Sequence, residues 1–203
     1  MNPDIQQRIV DLTPNNSRVL DLGCGDGELL SRLNQEKQVT PLGLEISLDS
    51  IQNCVLNKVP VLQMDVDKGL QAFEDDQFDL AILKFTLQEV RQPLLVFKEM
   101  LRVSHSCIIV FSNFAHWKVR WHLSMNGRMP ITKDLPYEWY NTPNINLLSI
   151  SDIEKMCERE KVNILHKNFY GNQLLDRSLM TLGWNNLGAS TCLIHMSRNT
   201  SKD

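Results

Sequence analysis

Three glycines stand at alternate positions in DLGCGDG (21–27), with carboxylates on both sides of them. The apolar run VLDL leads into this stretch and ELLSRL leaves it, so a strand, a tight turn and a helix start follow one another. That arrangement gathers backbone N–H groups around a ligand at the C-terminal edge of a sheet. Gly23, Gly25 and Gly27 supply the permissive torsions and let a ligand approach the backbone. A bare strand-to-helix connection that holds nothing uses the same residues, so the neighbours must decide.

Those neighbours are acidic. Asp21 lies at the end of the first strand, Asp26 and Glu28 in the turn, and Glu45 where the next strand should end. A dinucleotide site reads GxGxxG, but here its sixth position is Glu28. A pyrophosphate would meet these carboxylates at close range. S-adenosylmethionine (SAM) carries an ammonium, a sulfonium and one carboxylate, hence a net positive charge. Asp21 can face its ammonium while N–H groups near Gly23 and Gly25 meet its carboxylate, so charge balance favours SAM over NAD. Glu45 can accept from both ribose hydroxyls, or it is simply a solvated strand end. Asp65, closing QMDVD (63–67), is placed to accept from an adenine amino group with the Val66 N–H on the ring, or to cap the helix that follows. Asp26 and Glu28 suit a first helical turn whether or not anything binds.

The elements that position these residues alternate along the chain. RVLDL (18–22), TPLGLEI (40–46), VPVLQMD (59–65), FDLAIL (78–83) and SCIIVFS (106–112) read as strands. Segments from 25, 48 and 93 read as the intervening helices. The first of these helical segments carries Leu29, Leu30 and Leu33, and the next one Ile51, Val55 and Leu56. Such alternation implies βαβ units and a mostly parallel sheet with right-handed crossovers. SISDIEKMCERE (149–160) reads as one more helix, with a capping box formed by Ser151 and Glu154. VNILHKNFY (162–170) and STCLIHMS (190–197) read as two late strands.

The chain of 203 residues suits one domain spanning 1–203, and its 42% hydrophobic content fits a globular protein. No apolar stretch approaches the roughly 20 residues of a bilayer span, and MNPDIQQRIVDL lacks a secretion-signal pattern. Five scattered cysteines without a CxxC pair suit reduced thiols in the cytoplasm, not a disulfide framework or a zinc site. A formal charge of −3 offers no general attraction for nucleic acid.

DLGCGDG, LEIS, QMDVD and FDLAILKFTLQEV, in this order and spacing, resemble the class I SAM-dependent methyltransferases. The resemblance implies an α/β Rossmann-like fold, a mostly parallel seven-stranded sheet with helices on both faces and a reversed last strand. It further implies that Asp21, Gly23, Gly25, Glu45 and Asp65, with Ile46 and Val66 beside them, contact SAM or S-adenosylhomocysteine. A narrower resemblance runs through NFAHWKVRWHLSMNGRMPITKDLPYEWYNTPNINLLSISDIEKMCE (113–158), which is similar to the MetW family of methionine biosynthesis. That family implies a partner role beside a homoserine O-acyltransferase. The alternative is a SAM-dependent methyltransferase acting on a small molecule.

No catalytic set stands out. Methyl transfer needs in-line alignment more than a base, since orientation alone can supply about 7–11 kcal/mol. There is no [DN]PPY motif, and NINLLSI carries Asn146 where many small-molecule methyltransferases carry His. Gln88 and Glu89 follow the fourth strand, near where a methyl acceptor would lie, or else form an exposed loop. His116 and His122 flank Trp117 and Trp121, which share a helix face and suggest packing. His105, His166 and His195 sit in or beside strands and read as structural. The insertion 113–148 holds three of the four tryptophans and two of the three tyrosines. Within it Tyr137, Trp139 and Tyr140, between Pro136 and Pro143, form a non-helical loop suited to contacting a partner or substrate.

Overall fold

The computed structural model describes residues 3–132 and 135–198. Residues 1–2 and 199–203 of the expected domain, and positions 133–134 of its insertion, lie outside the described residues.

Among the described residues seven strands form one sheet: β1 (Arg18–Leu22), β2 (Thr40–Glu45), β3 (Val61–Gln63), β4 (Phe78–Lys84), β5 (Ser104–Ser112), β6 (Val162–Tyr170) and β7 (Thr191–Arg198). Their order across the sheet is β3-β2-β1-β4-β5-β7-β6. The first five pair in parallel, whereas β7 lies antiparallel between β5 and β6. Strand order reverses between β1 and β4, so the loops after these two strands diverge and leave a crevice.

The period of two in a strand divides the core between the sheet's faces. Leu20, Leu22, Ala81, Leu83, Ile109 and Phe111 pack on one side with α4 (Pro93–Val103) and α6 (Ile150–Arg159). Val19, Leu80, Ile82, Ile108 and Val110 pack on the other with α1 (Pro3–Leu12), α2 (Glu28–Lys37) and Cys54 of α3 (Leu48–Leu56). Phe97 on α4 is fully buried, and truncating such a ring to Ala costs about 3–5 kcal/mol. The same alternation sends Asp21 toward the second side, among apolar neighbours.

Several expected boundaries shift. The third strand is three residues long: Pro60 has no N–H to donate, and Asp65 turns the chain into a 3₁₀ turn at Val66–Lys68. Only Cys54 of α3 is fully buried, while Val55 and Leu56 face solvent. The capping box of α6 is formed by Ser149 and Asp152, two residues before the expected pair. Ser149 is extended at φ −117 and ψ 168, and its Oγ accepts from the Asp152 N–H at 3.3 Å. Ser151 already lies inside the helix. The chain is held extended up to that point because Gln88 O accepts from the N–H groups of Ile145 and Asn146, at 2.7 and 2.9 Å. The helix expected around Trp117 and Trp121 is α5 (Trp117–Asn126), and besides α1 the structure adds α7 (Leu174–Thr181) and α8 (Asn185–Gly188). Among the described residues no helix is long and apolar enough to cross a membrane.

Candidate functional site

The crevice above β1, β2 and β4 is a cavity of about 430 Å³. Gly23, Gly25, Glu45, Ile46, Asp65 and Val66, all singled out by the sequence, line it together. The glycine turn is built by its backbone. Gly23, Gly25 and Gly27 have φ of 75, 58 and 75°. The N–H groups of Gly23 and Cys24 both donate to Leu44 O, at 2.8 and 3.1 Å, which ties the turn to β2. A Cβ on Gly23 would lie 2.5 Å from Thr86 Oγ1, so the turn must be glycine where it touches the loop after β4. At Gly25 nothing lies within 4 Å of an added Cβ, and that face of the backbone is open to a ligand. Behind the turn, Cys54 Sγ donates to Gly25 O at 3.0 Å and meets Cys24 Sγ at 3.7 Å. Burial pushes both thiols up, so they pack as neutral groups; all five cysteines are free.

Glu45 holds the turn in a way its sequence position did not reveal. Its Oε2 accepts from the Gly25 N–H at 2.9 Å, and its Oε1 from the Ile46 and Ser47 N–H groups at 2.8 and 3.0 Å. An ionised carboxylate offers about four acceptor sites. Two ribose hydroxyls therefore cannot both bond to Glu45 unless an amide is released. Of the three amides only that of Gly25 comes from outside the chain immediately after Glu45, so it alone ties the carboxylate to the glycine turn.

Asp21, expected to face the ligand's ammonium, is fully buried and is not among the residues that line the crevice; neither of its carboxyl oxygens has a hydrogen-bond partner among the described residues. Burial pushes its carboxyl up to about 6, a rise opposed by nearby Lys84 and reinforced by Glu45. A buried acid left without partners costs stability, and a cation brought near it would relieve that cost. Asp65 is a cap: its Oδ1 accepts from the Asp67 N–H at 3.1 Å, while the residue also lines the cavity. Of the two roles open to it, the capping one is present in the fold. Glu28 is the acid of the first turn of α2, whereas Asp26 stands before the N-cap Gly27 and accepts from the Glu28 N–H at 3.3 Å. Around the rim Glu45, Asp65, Asp67 and Glu89 face a single cationic side chain, Lys84. Phe85, on the same rim, has φ 62°, a left-handed conformation that a bulky residue adopts only at a cost of about 1–3 kcal/mol. The arrangement suits a ligand with hydroxyls, a carboxylate and a surplus of positive charge.

Beyond Phe85 and Glu89 the crevice continues into a second cavity of about 280 Å³, which Tyr137 borders. Gln88 is not part of an exposed loop. It is 1% exposed, and its Oε1 accepts from the Ser112 N–H at 3.0 Å. Asn146 is committed to the backbone, donating to Val90 O at 2.6 Å, and so is not a base. Trp139 and Tyr140 stay on the outer surface, 73% and 70% exposed, with their rings edge to face at 5.7 Å. The structure thus separates Tyr137 from the other two loop aromatics.

The two helix tryptophans differ from the packed pair that their spacing suggests. Trp117 Nε1 donates to Asp176 Oδ1 at 2.7 Å, while Trp121 lies in solvent. Asp176 Oδ1 also meets His116 Nε2 at 3.1 Å, and its Oδ2 accepts from the Gln173 N–H at 2.9 Å. This buried group lines a further cavity of about 630 Å³ between α5 and α7. Asp176 went unnoticed in the sequence; its signal is the Gln173-x-x-Asp176 box that starts α7. His166 and His195 stack at 5.8 Å, and burial pulls His195 down to about 4, which keeps it neutral. His105 pairs with Asp76 at 3.3 Å on the surface.

Comparison with known proteins places this geometry. The crystal structure of an S-adenosylmethionine-dependent methyltransferase from Mesorhizobium loti superposes with a TM-score of 0.69 at 16% identity, covering 96% of each chain. The [4+2]-cyclase SpnF superposes with a TM-score of 0.68 at 16% identity, over 96% of this chain and 80% of that one. These likenesses establish the class I Rossmann-like fold. In sequence, the chain is 34% identical over 175 residues to the "Bifunctional methionine biosynthesis protein MetXA/MetW" of Rhodopirellula baltica. That match takes in 81% of this chain and spans 28% of the relative's length. The family described as "Methionine biosynthesis protein MetW" matches residues 3–196. With its motifs, sheet order and insertion all inside that match, the chain belongs to the MetW family of methionine biosynthesis.

Proposed function

We propose that this chain is a cytoplasmic accessory protein of methionine biosynthesis that holds SAM or S-adenosylhomocysteine in the 430 Å³ crevice and supports a homoserine O-acyltransferase. The observation that carries the partner is the Rhodopirellula baltica relative, whose name joins MetXA and MetW in one polypeptide. We read its MetXA portion as the acyltransferase. Exposed Trp139 and Tyr140, large rings on the outside of the insertion, supply the kind of surface that anchors an interface.

The residues present fit the nucleoside. Asp21 is a buried, unpartnered carboxyl awaiting a cation, Gly25 is open to close approach, and the rim is acidic. In this reading Glu45 exchanges the Gly25 N–H for the ribose hydroxyls, and that N–H turns to the ligand's carboxylate. Ile46, Asp65 and Val66 line the crevice and would hold the base. When bound, SAM supplies a positive charge and an electrophilic methyl group. Its occupancy can regulate the partner only where the active and inactive complexes bind it with different affinity. The test is co-purification with the acyltransferase and its activity with and without this chain. A stable complex with raised activity supports the reading; no complex and unchanged activity ends it.

The second reading is a small-molecule methyltransferase, favoured by the cavity that adjoins the crevice at Phe85 and Glu89. Labelled SAM and cell extract would then give a labelled product that disappears with Glu45→Ala.

A further inference from the structure

The 280 Å³ cavity beside the crevice has a chemistry of its own. At one wall Gln88 is buried and its Nε2 has no hydrogen-bond partner. Its Oε1 is fixed by the Ser112 N–H, so the amide cannot flip to find one. A buried donor left unmade is unfavourable, which marks the place of an acceptor atom. The Tyr170 hydroxyl, pushed up to about 12 by burial, stays a neutral donor on the same cavity. At the other side stands the Glu89 carboxylate, which this cavity shares with the crevice. An anion alone would fit Gln88 and be repelled by Glu89. A cation alone would pair with Glu89 and leave Gln88 unmet.

We infer that this cavity is a binding site for a small zwitterion of the amino-acid class, with its carboxylate at Gln88 Nε2 and its ammonium at Glu89. The volume is at the low end for ligand sites and suits a molecule of a few heavy atoms. The position gives the site a consequence. Gln88 joins the end of β5, through Ser112, to the end of the insertion, through the N–H groups of Ile145 and Asn146. Tyr137 of the aromatic loop borders the same cavity. An occupant therefore rests on the residue that ties the sheet edge to the insertion. This site goes beyond the nucleoside crevice and requires neither the acyltransferase nor methyl transfer.

The probe is L-homoserine, titrated into the full chain and followed by calorimetry and ligand-observed NMR. Its two truncations, 4-hydroxybutanoate without the ammonium and 3-aminopropan-1-ol without the carboxylate, serve as comparisons. L-Homoserine is expected to bind, and each truncation to bind about tenfold or more weakly, the scale of one hydrogen bond to a charged group. Glu89→Gln, at an exposed turn position, should weaken L-homoserine and leave 4-hydroxybutanoate unchanged or tighter. Gln88→Glu keeps the acceptor for the Ser112 N–H and should abolish binding, with thermal melting reporting that the variant is folded. Absence of L-homoserine binding at millimolar concentration, equal binding of all three compounds, or indifference to Glu89→Gln overturns the inference; the last two would mean adventitious binding. SAM titration of the same sample keeps the two readings apart, since SAM binding without L-homoserine binding removes only this one.

Discussion

The crevice above β1, β2 and β4 and the aromatic insertion are built on opposite plans. The crevice is made of short turns at the ends of buried strands, locked by backbone bonds from Gly23 and Cys24 to Leu44 and by the three amides on Glu45. Its special residues are constrained on every side except where Gly25 opens to the cavity. The insertion, by contrast, leaves Trp121, Trp139 and Tyr140 in solvent and is pinned chiefly at its ends, by Asn113 and by Gln88. A site that must hold one small cation needs fixed donors and acceptors. A surface that grips another protein needs large rings with little to lose in rotamer freedom. Under the proposed function the two regions divide these tasks.

The largest effect that separates them is expected at Glu45. With Glu45 accepting from two ribose hydroxyls as proposed, Glu45→Ala loses about 1.5–3 kcal/mol for each, so calorimetry should show SAM affinity falling by about a hundredfold or more. Stimulation of the acyltransferase measured without SAM should survive, because the insertion is untouched. Loss of both together would mean that the regions are not independent.

The next effect is electrostatic. Asp21 is held near 6 in the fold against an ordinary 3.8, so the folded state binds its proton more tightly than the unfolded chain. Stability of the ligand-free protein should therefore fall as pH rises from about 4 to about 6 and level off above, by at most about 3 kcal/mol. Asp21→Asn should flatten that slope in urea titrations at successive pH values. Bound SAM should flatten it as well, since a cation stabilises the ionised form. An unchanged slope in Asp21→Asn would assign the dependence to other groups.

On the insertion side, Trp139→Ala and Tyr140→Ala should each alter stability by no more than about 0.5 kcal/mol, as exposed positions do. Each should weaken the complex with the acyltransferase by about 2 kcal/mol if it anchors the interface. Co-purification and thermal melting measure the two quantities side by side. Strong destabilisation with intact binding would invert the comparison. The smallest effect concerns Gly25→Ala, with open space at its Cβ but φ of 58°. It should cost about 1 kcal/mol of stability, less than Gly23→Ala, whose Cβ collides with Thr86.

The parallel half of the sheet was readable because β1, β4 and β5 are continuous apolar runs, as strands buried on both faces must be. The acidic cleft was readable in part for a similar reason: Glu45 closes β2 and Asp65 follows β3 by two residues, and a parallel sheet brings such ends to one edge. The start of α6 was not, because Ser149-x-x-Asp152 and Ser151-x-x-Glu154 both satisfy the capping pattern. The choice between them is made at a distance, by Gln88 holding residues 145 and 146 extended. The burial of Gln88 depends on the same long-range meeting of β4, β5 and the insertion, which no local pattern encodes. α1 escaped notice although Ile5 and Ile9 repeat at helical spacing; ten residues carry a weak periodic signal. Glu45 was placed correctly at the rim, but its hold on three amides follows from the turn's geometry and not from its neighbours in sequence.

Parallel calorimetric titrations of the full chain with SAM and with NAD bear most directly on the idea that an acid-rimmed crevice selects a cationic nucleoside. SAM should bind and NAD should bind far more weakly or not at all. Equal affinities, or a preference for NAD, would contradict it.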